Sequence, residues 1–97
     1  MATYIVLGSW TNDGARAAKD TVARSEKARE LIRGLGGEMQ QLYWTMGRYD
    51  LVAIVEAPDD ETASAISVGI ASTGMVRIET MRAFSADEVT SLLRKLG

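Results

Sequence analysis

Hydrophobic and polar residues follow two rhythms along the chain, and the changes between them mark its elements. Thr3 to Trp10, TYIVLGSW, is rich in β-branched and aromatic residues and predicts a strand. Both of its alternating rows are apolar: Tyr4, Val6 and Trp10 on one, Ile5 and Leu7 on the other. Such a strand is covered on both faces. A polar connection follows, with a helical turn expected near Ala15 to Ala18. From Thr21, a plausible N-cap, the period changes to that of a helix. Ala28, Leu31, Ile32 and Leu35 repeat at i, i+3, i+4 and i+7, opposite Arg24, Glu26, Lys27, Arg29, Glu30 and Arg33. Gly36 and Gly37 end this helix.

The spacing then predicts strands over EMQQLYWTM and DLVAIVEA, joined by a turn at Gly47. After Pro58, Asp59 or Asp60 caps a helix running to about Thr73. Its apolar face holds Ala63, Ile66 and Ile70, and its small residues would let it sit close to a sheet. Gly74 closes it, and Met75 to Phe84 reads as a fourth strand. Ser85 and Glu88 form a capping-box pattern at the start of a last helix striped by Val89, Leu92, Leu93 and Leu96.

The order β-α-β-β-α-β plus a terminal helix leads to a ferredoxin-like, split βαβ arrangement in the α+β class. Residues 1–97 are expected to form one domain with an antiparallel sheet carrying both long helices on one face. The other face is then too apolar to stay in water, and a second copy of the chain is its simplest cover. In the hairpin, a loop centred on Gly47 and Arg48 would pair Thr45 with Asp50, Tyr43 with Val52, Gln41 with Ile54 and Met39 with Glu56. Leu42, Trp44, Leu51, Ala53 and Val55 make the expected core row.

Composition narrows the chemistry. The 97 residues contain no cysteine and no histidine, which removes disulfides, thiolate sites, imidazole bases and imidazole metal ligands. No cofactor and no metal are expected; the acidic run Asp59–Glu61 is explained by the start of a helix. A net charge of −2 with mixed signs gives no footprint for nucleic acid. No apolar stretch approaches the ~20 residues of a membrane span. The start of the chain lacks a secretory pattern, so a cytoplasmic location is expected.

YWTMGRYDLVAIVEAPDDETA followed by GMVRIETMRAF resembles the GYD-domain proteins, named for the residues carried here by Gly47, Tyr49 and Asp50. The resemblance spans nearly the whole chain. It implies a branch of the dimeric α+β barrels, a homodimer, and no assigned biochemical function. In such barrels the space between sheet and helices often receives small organic molecules. Cofactor-free oxygenases of that fold use Trp, Tyr, Asn and Arg side chains.

Candidate site residues follow. Gly47 supplies the φ of the turn, while Asp50 either accepts turn amides or serves as a carboxylate at a pocket mouth. Tyr43 and Tyr49 are hydroxyl donors, and Trp10 with Asn12 forms a polar-aromatic pair. Arg77 and Arg82 fall on opposite rows of the last strand, and Arg82 is the candidate for holding an anion. Glu56 is expected to face solvent or to pair with Arg77 or Arg82. These residues support three readings: a homodimeric small-molecule-binding or accessory domain, a metal-free enzyme acting on a small organic acid or aromatic, or a structural assembly protein. A site in which Asp50, Tyr43 and Arg82 converge would favour the enzyme.

Overall fold

β-branched and aromatic residues place Ala2–Trp10 in an extended strand, β1, and the computed structural model describes every residue from Met1 to Gly97. The elements that follow are α1 (Asn12–Arg16), α2 (Thr21–Gly34), β2 (Glu38–Trp44), β3 (Leu51–Ala57), α3 (Asp60–Ala71), β4 (Val76–Ala83) and α4 (Ala86–Leu93). Single 3₁₀ turns lie at Ala18–Asp20 and Arg94–Leu96. The four strands form one antiparallel sheet in the order β2-β3-β1-β4, with β1 central and β2 and β4 at the edges. This is the ferredoxin-like α+β arrangement expected from the element order.

Local chemistry sets the boundaries. Thr21 does not cap α2. The chain arrives from the 3₁₀ turn already in helical geometry, with Thr21 at φ −61° and ψ −38°. The Thr21 hydroxyl instead accepts a hydrogen bond from Trp44 Nε1 at 3.0 Å. α2 ends where Gly36, at φ +89°, lets its own amide and that of Gly37 reach back to the Arg33 and Ile32 carbonyls. Asp59 caps α3 by accepting from the Thr62 amide at 2.8 Å. Ser85 and Glu88 make a complete capping box at α4.

Cross-strand register defines the two faces of the sheet. On the helix side, Met39, Val55, Tyr4 and Arg82 stand in one row, and Leu42, Ala53, Val6 and Thr80 in the next. Tyr4, Met39, Ala53, Val55 and Ala57 from the strands, with Ile32 from α2 and Ala63 and Ile66 from α3, form the buried core. Ile32 is wholly enclosed, a burial that stabilises by about 1.5–3 kcal/mol. Gly69 of α3 is small for a neighbouring helix rather than for the sheet. A Cβ there would lie 2.9 Å from Leu31 of α2.

The hairpin matches the expected register from Thr45–Asp50 to Gln41–Ile54, with the Thr45 amide bonded to the Asp50 carbonyl at 2.8 Å. Beyond that point the expectation fails. A β-bulge at Gln40 shifts the ladder, so Met39 pairs with Val55 and Glu38 with Glu56. The extra residue turns Met39 into the core. Glu56 pairs with neither Arg77 nor Arg82; its carboxylate accepts from Gln40 Nε2 at 3.1 Å.

The other face of the sheet has no layer over it within the subunit. Tyr43, Val52, Leu7 and Glu79 form one row there, and Gln41, Ile54, Ile5 and Met81 the next. α4 stands apart from the body, with Val89, Leu92, Leu93 and Leu96 between 38% and 82% exposed. The molecule measures 52 × 30 × 18 Å, with a radius of gyration of 14.6 Å. A compact chain of this length would have about 12.5 Å. No helix is long and apolar enough to cross a membrane.

Candidate functional site

The hairpin and the end of β1 meet through Asp50. Its backbone amide donates to the Gly8 carbonyl, and its Oδ2 accepts the Trp10 amide, both at 2.8 Å. Asp50 therefore does not accept the amides of its own turn. It extends the β1–β3 ladder past Leu51 with a side chain in place of a backbone carbonyl. Gly47 has φ +117°, a region closed to most side chains. The Tyr49 hydroxyl donates to Glu79 Oε2 of β4. That bond pushes Tyr49 above the ordinary tyrosine range, so it stays protonated and acts as a donor.

The expected convergence of Asp50, Tyr43 and Arg82 does not occur. Tyr43 lies on edge strand β2, 58% exposed, and its hydroxyl donates to Gln41. Arg82 lies on the opposite edge strand, facing the helix side. It pairs with Glu88 at 3.3 Å, donates to the Thr3 and Ala83 carbonyls, and stacks over Phe84 at 4.4 Å. Nearby, the Tyr4 hydroxyl donates to Asp60, a bond that raises its pKa, as burial does. Arg82, Tyr4, Asp60, Ser67 and Thr80 line an open groove together with Ala63, Val68 and Ile78. Asn12 is exposed at the start of α1.

A second concavity is different in character. A cavity of about 380 Å³ lies between α2, α3 and the sheet. Val6, Leu31, Leu42, Ala53, Ile70 and Val76 give it aliphatic walls. Thr21, Arg24 and Ser25, from the first turns of α2, form its polar end, with Trp10 and Thr73 also in the lining. Of the sequence-derived candidates, only Trp10 reaches this cavity.

Arg24 is the residue that sequence reasoning passed over. Its Nη1 donates to the Ala17 carbonyl at 2.7 Å, while Nη2 is buried without a partner. Leaving a buried donor unpaired costs about 1–3 kcal/mol, and more for a charged group. The signal was present in the helix period. The stripe of Leu31 and Ala28, continued towards the N-terminus at helical spacing, arrives at Arg24 and Thr21.

Comparison with known proteins places the chain in a family. The GYD domain model matches residues 4–93. A Thermus thermophilus protein named "Glutamine synthetase and cystathionine beta-lyase binding protein" is 34% identical over 95 residues, which are 97% of this chain and 100% of that protein. A solved Thermus thermophilus structure is 32% identical, with a TM-score of 0.58 over 89% of this chain and 96% of that one. The leucine response regulatory protein of Mycobacterium tuberculosis is 17% identical, with a TM-score of 0.63 over 88% of this chain and 51% of that one. That last likeness is one of fold alone.

Proposed function

This chain belongs to the GYD-domain family, and from that premise we propose that it is an accessory protein. It pairs with a second copy of itself and binds an enzyme, without catalysing a reaction of its own. The observation that carries this reading is the uncovered sheet face, where Ile5, Leu7, Val52, Ile54 and Met81 lie in adjacent cross-strand rows. A patch of this kind is the signature of an interaction surface, and Leu92 and Leu93 of α4 are further exposed apolar side chains.

Two further observations support a binding role. The groups best suited to chemistry are engaged elsewhere: Asp50 on Trp10, Arg82 on Glu88, Tyr49 on Glu79. The similar Thermus protein is named for binding glutamine synthetase and cystathionine beta-lyase, which makes enzymes the class of partner to examine first. The inner cavity, in turn, gives the subunit room for a small molecule.

Sedimentation velocity tests the reading. The wild type is expected to run as a dimer at micromolar concentration and Ile54→Glu as a monomer, since a stable interface buries about 1,200–2,000 Å² and a charge at its centre would be desolvated. Co-sedimentation with at least one of the two enzymes from the source organism is expected. A monomeric wild type would overturn the self-association, and failure to bind either enzyme would remove the enzyme partner.

A further inference from the structure

We infer that the cavity between α2, α3 and the sheet binds a small apolar carboxylic acid, its aliphatic or aryl body inside and its carboxylate on Arg24. This rests on the reading of that cavity as a ligand site and does not depend on self-association. The volume of about 380 Å³ falls within the range of small-molecule sites. The walls are aliphatic along most of their length, and the polar groups gather at the end where α2 begins. That distribution selects a molecule with one polar head and an apolar body.

The sign of the head follows from charge. Arg24 and Lys27 both line the cavity, and no aspartate or glutamate does. The whole chain carries 13 acidic residues against 11 basic ones, so this lining departs from the protein's own balance. The Arg24 guanidinium is held in place through Nη1, leaving Nη2 buried with no partner. Thr21 Oγ1 accepts from Trp44 Nε1 and keeps its own proton to donate. A carboxylate presents two acceptor oxygens, which suits the guanidinium of Arg24 and the hydroxyl of Thr21 in the same lining. Lys27 in the same lining would supply a second charge to a dianionic phosphate, which makes a phosphate head the rival to test.

Decanoate below its micellar range is a suitable probe, followed by methyl NMR on the wild-type protein. The methyl groups of Leu31, Leu42, Ile70 and Val76 should shift and saturate, while those of Ile5, Val52 and Ile54 on the open sheet face stay in place. Decanol, decylammonium and decyl phosphate test the head. Each should bind at least about ten-fold more weakly than decanoate, the scale of one charge-assisted hydrogen bond. Arg24→Met should lose about the same factor for decanoate and leave decanol unchanged, with the decanol titration showing that the variant keeps its cavity. The inference is overturned by shifts confined to the open face, by decanol or decylammonium matching decanoate, or by decyl phosphate binding more tightly. It is equally overturned by an Arg24→Met variant that binds decanoate like the wild type, or by no binding up to millimolar probe. Sedimentation reads self-association separately, so either proposal can fail alone.

Discussion

Replacing Asp50 tests whether its carboxylate serves the β1–β3 joint or the turn from which the strand emerges. Its Oδ2 accepts the Trp10 amide at 2.8 Å in a partly buried setting. A hydrogen bond to a charged group contributes about 1.5–3 kcal/mol, and partial exposure brings the expected loss for Asp50→Ala to about 1–2 kcal/mol. For a domain of this size, each kcal/mol lowers Tm by about 4–8 °C, so a fall of about 5–15 °C is expected. Asp50→Asn keeps a neutral acceptor and should lose roughly half as much. Amide exchange locates the effect. Trp10 should lose protection in the alanine variant and largely retain it in the asparagine variant, while the amides of Gly47, Arg48 and Tyr49 stay unchanged. Loss of protection confined to those turn amides, or an alanine variant melting within about 2 °C of the wild type, would refute the assignment.

Gly14→Ala should be costly. A Cβ there would lie 1.9 Å from the Met75 carbonyl oxygen, a backbone atom already bonded to the Thr11 amide at 3.1 Å. A loss of about 1–3 kcal/mol is expected from thermal melts, and an unchanged Tm would show that the segment moves freely. Acid should weaken the attachment of α4. The Ser85 amide, and then Arg82, hold Glu88 below the ordinary glutamate value of 4.5, so its contribution is present above that value and lost as pH falls through the depressed one. Far-UV circular dichroism should show helix lost on acidification, with a smaller acid-dependent loss in Glu88→Gln; identical pH profiles for the two proteins would contradict this.

The elements were legible because their signals are local. The capping box at Ser85 and Glu88, the Gly36 terminator and the apolar run of DLVAIVEA each need only a few neighbouring residues. The hairpin register could be read from Gly47 outward for the same reason. It failed at Gln40 because EMQQL carries no mark of which residue is extra, and one unpaired residue reverses the facing of everything beyond it. The roles of Asp50 and Arg82 were hidden for a different reason. Trp10 lies 40 positions from Asp50 in the chain, and the Arg82–Glu88 pair required knowing that α4 begins beside β4. Arg24 looked like one more charge on a solvated helix face. Its place at the end of an apolar wall depends on α3 and the sheet enclosing the space above Leu31.

The bulge at Gln40 also limits how the protein can grow. β2 is an outer strand, and an unpaired residue twists it out of the flat geometry that an incoming strand requires. The opposite margin, β4, carries Arg77, Glu79 and Arg82. Lateral extension into ribbons is therefore disfavoured at both borders. Stacking through the bare side remains open, but the reverse side is already occupied by α2 and α3. A sheet with one bare surface and two blunted borders is poorly suited to growth into fibres.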